Sequence, residues 1–312
     1  MKIVFLDAGT LYDVPNLDTL KEFGELELHQ NSDYIQTIER CQSATIVITN
    51  KVIVDKNVMD KSPNLKLICV AATGMNNIDL EYAKLKQIKV MNVTGYSTQS
   101  VAQITWAMIL NLVNHIQHYD RFVKSGLYAQ HQFFTHIDKS FYQLYGKTVG
   151  IIGLGSIGRE VAQIGTAFGM KVIYASLSGV YRKEIYEEKS LKQLLQTSDI
   201  VSIHSPLNDK SKNIIDYSNL QLMKKSAFLI NAGRGGIVVE HDIAKALNEN
   251  LISGYATDVY EKEPIIENNP MLSVNDKSKL LLLPHIAWAS IEARTLLVEK
   301  IAENIRKFLY SN

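Results

Sequence analysis

The hydrophobic and polar positions of the chain follow two alternating patterns, short β-rich runs and longer helical ones. In residues 1–95 the segments SDYIQTIER and LEYAKLKQ have the spacing typical of amphipathic helices. Five short runs around them predict strands: KIVFLDA, LELHQ, ATIVITN, LKLICVAA and IKVMNV. Strands that alternate with helices indicate a parallel sheet with crossover helices.

A long helical pattern follows, and it predicts one helix over about 98–125 that ends at Gly126. After an aromatic and polar connector, the alternation restarts with six predicted strands: KTVGIIG, KVIYAS, DIVSIH, AFLINA, GYATDV and LLLLPHI. Six strands are what a doubly wound dinucleotide-binding sheet needs. The segment 290–312 predicts an amphipathic helix with apolar residues at Leu296, Leu297, Ile301, Ile305 and Leu309.

Composition limits the classes of partner. The chain has 312 residues, enough for two domains, and its 33 basic side chains nearly balance 32 acidic ones. We therefore expect no nucleic acid or membrane partner. The first apolar run ends at Asp7, so it is too short for the hydrophobic part of a signal segment. Cys41 and Cys69 have no disulfide or metal spacing, so we expect a cytoplasmic protein.

The segment TVGIIGLGSIGREVA places three glycines between a predicted strand and a predicted helix. In a dinucleotide site the first glycine makes a tight turn, the second admits a pyrophosphate, and the third lets helix pack on strand. Gly153, Gly155 and Gly158 have this spacing. The motif therefore predicts a dinucleotide cofactor.

The next strand lacks the acid that usually binds the ribose hydroxyls. The segment KVIYASLSG ends in Ser176, and Arg182 and Lys183 lie just beyond it. Those two cations could equally be ordinary surface residues. NAD is the expected cofactor, and NADP stays open. We expect this protein to tolerate NADPH better than a relative that has aspartate in place of Ser176.

Three polar residues follow predicted strands at the edge where ligands bind in parallel sheets: Arg234, Glu263 and His285. An arginine can bind and polarise a 2-keto acid, and a histidine can protonate its oxygen. Glu263 would orient the imidazole and favour its charged form. His204 also ends a strand, on the expected cofactor side, whereas His115 and His118 share a helix face without a third metal ligand, so no metal is expected.

Over nearly its whole length the chain resembles the D-isomer-specific 2-hydroxyacid dehydrogenases. The similar segments are GKTVGIIGLGSIGREVA, DIVSIHSPLNDKSKNII, LINAGRGGIV, ATDVYEKEP and PHIAWASIEAR. The family's catalytic arginine, glutamate and histidine fall on Arg234, Glu263 and His285. The ending HIAWAS and the segment VAATGMNNID are most similar to the glycerate dehydrogenase and hydroxypyruvate reductase branch.

The resemblance also implies binding residues. The backbone amides of Thr73 and Gly74 would hold the substrate carboxylate, and Trp288 would border the substrate pocket, although a core role for Trp288 is equally open. Asp258 would face the nicotinamide amide. The full implied cofactor set is Gly153, Gly155, Ser156, Ile157, Gly158, Ser176, Thr105, His204, Pro206, Ser211, Asn231, Ala232, Gly233, Asp258 and His285.

The expected fold is α/β with two parallel sheets: a flavodoxin-like substrate domain from residues 1–97 and 287–312, and a Rossmann dinucleotide-binding domain from residues 98–286. The apolar helix at about 98–125 is expected to form a homodimer. The expected reaction is hydride transfer between NAD(P)H and a small 2-keto acid, with hydroxypyruvate or glyoxylate first. The alternatives are a corepressor-like, peptide-binding protein and a phosphoglycerate dehydrogenase.

Overall fold

The computed structural model describes residues 1–179 and 183–310. The chain forms two compact units. The first comprises Met1–Ser97 and the segment from Trp288 onward, and the second comprises Thr98–Ala287. Both are α/β units with parallel sheets, which confirms the predicted fold class.

The first unit contains a five-stranded parallel sheet in the order β2-β1-β3-β4-β5. This is the flavodoxin-like order, with the reversal beside β1 that creates a ligand crevice in such sheets. Its elements before residue 97 are β1 (Lys2–Phe5), β2 (Glu25–Leu28), α1 (Tyr34–Cys41), β3 (Ile46–Thr49), α2 (Lys56–Asp60), β4 (Leu67–Val70), α3 (Leu80–Leu85) and β5 (Lys89–Asn92). Short 3-10 helices lie at Ala8–Leu11 and Leu17–Phe23.

The second unit contains a seven-stranded parallel sheet in the order β12-β11-β10-β9-β6-β7-β8. Its elements are α4 (Thr98–Asn114), α5 (Ile116–Lys124), β6 (Thr148–Ile152), α6 (Ser156–Ala167), β7 (Lys171–Ala175), β8 (Glu187–Glu188), α7 (Leu191–Thr197), β9 (Ile200–Ile203), α8 (Tyr217–Leu220), β10 (Phe228–Asn231), α9 (Glu240–Asn248), β11 (Gly254–Thr257) and β12 (Leu280–Leu282). Short 3-10 helices lie at Leu127–Gln130, Pro270–Ser273 and Lys277–Lys279. Six strands match the predicted ones, and β8 is additional.

The expected single helix at 98–125 is instead two helices. His115 adopts a left-handed backbone conformation with φ of 52° and separates α4 from α5. α4 is largely buried, whereas α5 has no buried residue. The apolar residues of α4 are therefore satisfied within their own unit, and exposed apolar surface lies on α5 instead.

The last helix of the described residues is α10 (Ile291–Tyr310), which packs on the sheet of the first unit. Leu297, Ile301 and Ile305 are fully buried there, as predicted. Leu296 is exposed and Val298 is buried. Val298 lies three residues before Ile301, on the same face of the helix, whereas Leu296 lies four residues before Lys300, on the polar side.

Successive residues of each strand point to opposite faces of the sheet, so each unit has a hydrophobic cluster on each face. The leucines before His285 show this clearly. Leu280 and Leu282 pack into one cluster of the second unit, and Leu281 and Leu283 pack into the other. Within the described residues, every helix is too short or too polar to cross a bilayer.

Candidate active site

His285 lies just beyond the edge strand β12, in a turn that is fixed by hydrogen bonds to its backbone. Its φ of 55° is unusual for a residue with a side chain. The carboxylate of Asp258 accepts hydrogen bonds from the backbone amides of Ile286 and Ala287, both at 2.7 Å. Asp258 is almost fully buried, and burial raises its pKa although the two amides and His285 oppose that shift. These bonds fix the chain immediately after His285.

Glu263 and His285 form a close pair. His285 Nδ1 lies 2.6 Å from Glu263 Oε2. A carboxylate can only accept, so Nδ1 carries the proton and Nε2 is left to exchange one with a ligand. Both side chains stay partly accessible, with 25% of His285 and 31% of Glu263 exposed. The pair can therefore meet a bound molecule.

Tyr260 contacts the chain on both sides of this pair. Its backbone amide donates to Glu263 Oε1 at 3.1 Å, and its hydroxyl donates to the carbonyl of Leu283 at 2.8 Å. Burial raises the pKa of Tyr260 to about 12, so the hydroxyl remains a donor at ordinary pH. One residue thus fixes the Glu263 carboxylate and the segment that leads to His285.

The loop that carries Arg234 packs against the loop that carries Glu263. Asn231 closes the first loop, because its side chain accepts from Gly233 N and donates to Arg234 O, at 3.1 and 3.0 Å. A side chain at Gly235 would collide with the carbonyl of Tyr260, so only glycine permits this approach. Arg234 itself is exposed, with Nη1 donating to Gly233 O at 2.8 Å. The structure therefore places the Arg234 loop directly beside the Glu263 loop.

The three glycines of the loop after β6 have three different surroundings. Gly153 has a φ of 92°, and a Cβ there would collide with Ser205. A Cβ on Gly158 would collide with the carbonyl of Gly153, which explains the close packing of α6 on β6. A Cβ on Gly155 would meet nothing within 4 Å. Open space at this glycine, at the N-terminus of α6, fits a pyrophosphate.

A cavity of about 240 Å³ extends from this glycine loop. Six residues of the predicted cofactor set line it: Gly153, Gly155, Ser176, His204, Pro206 and Ser211. Leu154, Tyr174, Leu177, Ser178, Glu184, Ser205 and Asn208 also line it and were missed by the sequence analysis. The cavity therefore lies against the glycine loop, where part of a dinucleotide could bind.

His204 faces the cavity as a neutral imidazole. Burial lowers its pKa to about 3, and Nε2 lies 2.8 Å from the Ser202 hydroxyl. Its buried Nδ1 has no hydrogen-bond partner among the described residues. An unsatisfied buried nitrogen at this wall is a further feature that fits a polar ligand.

Ser176 occupies the strand-end position that usually carries an acid, and an acid from another segment, Glu184, lies near it. Glu184 lines the same cavity as Ser176, and its carboxylate is bound by Arg159 through Nη2 and, at 3.3 Å, through Nε. Lys183 is exposed. Arg182, the other cation noted in the sequence, lies outside the described residues.

Other predicted cofactor residues lie away from the lining of this cavity. Thr105 is fully buried, and its hydroxyl donates to Val101 O at 2.7 Å within α4. Both carboxylate oxygens of Asp258 accept backbone bonds, as described above. His285 lies beyond β12, as described above. The remaining ones are Ser156, Ile157 and Gly158 in the first turn of α6, Asn231 at the end of β10, and Ala232 and Gly233 directly after it.

The predicted substrate residues outside the second unit lie in the first. Thr73 and Gly74 follow β4, and within the described residues their backbone amides donate to no acceptor of the chain. Two adjacent amides of this kind can bind a carboxylate. Trp288 packs on the core of the first unit and makes an edge contact with Tyr96, 6.2 Å between ring centroids. This supports the core role considered for Trp288.

Comparison with known proteins identifies the family. The model of the D-isomer specific 2-hydroxyacid dehydrogenase NAD-binding domain matches residues 106–287. The chain belongs to this family. It is similar to a putative 2-hydroxyacid dehydrogenase of Haemophilus influenzae, with 38% identity over 99% of this chain and 98% of the relative.

Two further relatives bear on the reaction. A hydroxypyruvate reductase of Blautia hydrogenotrophica is 33% identical over 99% of this chain and 97% of its own length. The structure of an acyclic imino acid reductase in complex with NADPH and D-Arg has a TM-score of 0.88 and 29% identity, covering 100% of this chain and 98% of that one. The chain is an NAD(P)-linked oxidoreductase that acts on the CH–OH group of 2-hydroxy acids.

Replacing Tyr260 with phenylalanine tests its positioning role. The change removes only the hydroxyl bond to Leu283 O, worth about 1 kcal/mol in a typical buried case. We expect kcat to fall about three- to tenfold, with little change in KM for the keto acid, because the His285 segment becomes less fixed while the binding groups remain. Steady-state kinetics across pH 5–9 measures both.

Tyr217→Phe is the matched control, because the Tyr217 hydroxyl bonds Glu249 on the surface of the same unit. If the two phenylalanine variants behave alike in kcat and in the pH profile, the Tyr260 hydroxyl has no positioning role.

Proposed function

We propose that the protein reduces hydroxypyruvate to D-glycerate, or glyoxylate to glycolate, reversibly and with a nicotinamide cofactor. The observation that carries this proposal is the 2.6 Å Glu263–His285 pair at the carboxyl edge of a sheet that also holds a glycine-loop cavity. The hydroxypyruvate reductase among the relatives supports the substrate class. The two buried free thiols, Cys41 and Cys69, support a cytoplasmic location.

Each polar group of the site has a separate role in the proposed reaction. When bound, the cofactor supplies or accepts the hydride at the substrate carbon. His285 Nε2 donates the proton that the substrate oxygen needs as it becomes a hydroxyl, and takes it back in the reverse direction. Glu263 holds the ring through Nδ1 and compensates its charge. Without that partner the imidazole would be free to rotate away.

Arg234 and the amides of Thr73 and Gly74 are the proposed substrate-binding groups. The guanidinium presents planar donors to a carboxylate or carbonyl oxygen, and it polarises the carbonyl for hydride attack. The unpaired amides after β4 would bind the carboxylate. The substrate is therefore expected to be a small 2-keto acid whose carboxylate is essential for binding.

A substrate panel tests this proposal directly. Hydroxypyruvate, glyoxylate and pyruvate are assayed with NADH and with NADPH by loss of absorbance at the nicotinamide band. We expect turnover of hydroxypyruvate and glyoxylate to exceed that of pyruvate in kcat/KM. Absence of turnover with every keto acid and both cofactors would overturn the proposal and favour a corepressor-like binding protein.

Replacing His285 with asparagine tests the proton donor. We expect kcat to fall by about two to four orders of magnitude, the usual contribution of a positioned acid, with the affinity for NADH nearly unchanged. Stopped-flow kinetics measures the rate, and fluorescence titration measures the affinity for NADH. His241→Asn is the control, because His241 is exposed on α9. Loss of NADH binding in the His285 variant would show a binding role instead.

We also propose a homodimer, formed through α5 and the connector that follows it rather than through α4. Apolar side chains are exposed along this surface: Ile116, Val123, Leu127, Phe133, Phe134, Ile137, Phe141 and Tyr142. Monomeric proteins seldom expose so many large apolar side chains in one segment. The family resemblance supports a second copy of the chain as the partner.

Phe134→Asp tests this surface, because 92% of Phe134 is exposed and a buried carboxylate would oppose association. We expect the wild-type protein to sediment as a dimer at micromolar concentration and the variant to shift toward monomer. Leu85→Asp, at an exposed apolar position of the first unit, should remain dimeric. A monomeric wild-type protein would refute the proposal.

A further inference from the structure

Asp7 is a buried carboxylate of the first unit that the proposed reaction does not use. It follows β1, and only 1% of its surface is exposed. Its side chain accepts hydrogen bonds from three successive backbone amides of the loop after β3: Asn50 at 2.8 Å, Lys51 at 2.7 Å and Val52 at 3.3 Å. Burial raises the pKa of Asp7, while these three amides oppose that shift. Because a buried carboxylate is costly unless it is hydrogen-bonded, Asp7 and the loop fix each other.

The loop after β3 is bonded in turn to the segment 73–78, which follows β4. Asn77 Nδ2 donates to the Val52 carbonyl at 2.9 Å. The Val54 amide donates to the Asn77 carbonyl at 2.9 Å, and the two segments form a parallel bridge there. The segment 73–78 therefore takes its position from the loop that Asp7 holds.

The other side of the segment 73–78 is bonded to the end of β5. Asn92 Nδ2 donates to the Thr73 carbonyl at 2.7 Å, and the Thr73 hydroxyl donates to the Val93 carbonyl at 3.1 Å. Within the described residues, the backbone amides of Thr73 and Gly74 still donate to no acceptor. A segment that is held in place with its amides open can bind a carboxylate without the cost of ordering a loop.

The loops after β3 and β4 differ in what their amides bind. The two strands are parallel neighbours, so both loops lie at the same edge of the sheet. In the loop after β3 the amides are occupied by the carboxylate of Asp7, whereas in the segment after β4 they are open. The chain thus supplies its own carboxylate to the first group of amides and leaves the second group for a ligand.

We propose that Asp7 is a positioning residue for substrate binding: through the loop after β3 and Asn77, it holds the amides of Thr73 and Gly74 in the geometry that binds the carboxylate of the keto acid. This rests on the proposed function, in which those amides bind that carboxylate. Asp258 fixes the turn after β12 in the same way. Because Asp7 is buried, it acts only through the loop and takes no part in proton or hydride transfer.

Asp7→Asn tests the proposal, because the carboxamide has nearly the shape of the carboxylate but only one acceptor oxygen. Its NH2 group would face a backbone amide, so the loop is held less firmly. We expect KM for glyoxylate to rise about three- to tenfold, since the amides bind the carboxylate equally in the ground state and in the transition state. For the same reason kcat should stay nearly unchanged, as should KM for NADH. Steady-state kinetics measures all three.

Asn77→Ala is a second variant, which removes the bond to the Val52 carbonyl and leaves Asp7 intact. Asn77 is only partly buried, so its replacement does not open the core, and KM for glyoxylate should rise as in Asp7→Asn. Asp33→Asn is the matched control, because Asp33 is an exposed carboxylate of the same unit that accepts from the Gln36 amide of its own helix. Its KM for glyoxylate should equal that of the wild type. Thermal melting confirms that each variant is folded.

Hydrogen–deuterium exchange measures the position of the segment without turnover. The amides of residues 73–78 should exchange faster in Asp7→Asn and in Asn77→Ala than in the wild type and in Asp33→Asn. Equal exchange in all four proteins would overturn the proposal. An unchanged KM for glyoxylate in both variants would do the same, as would a lower KM in Asp7→Asn, because the Asp7 charge would then repel the substrate.

The two proposals fail in different experiments. If the keto acid panel gives no turnover but residues 73–78 exchange faster in both variants, the substrate proposal is wrong and the positioning of this segment by Asp7 stands. If glyoxylate is reduced and its KM is the same in the wild type and in both folded variants, the function stands and the role of Asp7 is wrong.

Discussion

The arrangement of the active site depends on the buried carboxylate of Asp258. His285 lies in a backbone conformation that costs energy for any residue with a side chain. The two amide bonds that Asp258 accepts from Ile286 and Ala287 offset that cost and fix the turn. Since burial disfavours the charged carboxylate, those two bonds are also what keeps Asp258 inside the fold. The turn and the buried carboxylate stabilise each other.

The loops around this turn are joined to one another rather than held separately. Tyr260 bonds both Glu263 and Leu283, and the absence of a side chain at Gly235 lets the Arg234 loop contact Tyr260. Parallel strands end at the same edge of a sheet, so three loops distant in sequence meet there. Each loop thus limits the movement of its neighbour. Catalysis by a proton donor needs this rigidity, because small displacements weaken proton transfer strongly.

Sequence patterns predicted what depends on periodicity and on fixed motifs. Eleven of the strands follow from apolar runs bounded by turn residues, and the glycine loop was found because each glycine has a separate steric reason. The two-residue strand β8 has no such run. The break at His115 depends on one backbone angle inside an otherwise continuous helical pattern. Tyr260 and Glu184 were missed because the Tyr260 hydroxyl bonds Leu283, 23 residues away, and Glu184 bonds Arg159, 25 residues away.

The choice between NAD and NADP shows most clearly why the residue at one position is insufficient to predict cofactor specificity. The sequence argument considered the residue at the end of β7, where Ser176 replaces an acid. In the folded chain the charges around that strand end come from several segments, among them Arg159 in α6, Glu184 in the loop before β8, Glu188 in β8 and Lys210 in the loop after β9. The net field depends on how these charges pair, because an acid bound by an arginine repels a phosphate less than a free acid does. A motif can locate the pocket, but only the folded arrangement of its charges determines which ribose substituent the pocket favours.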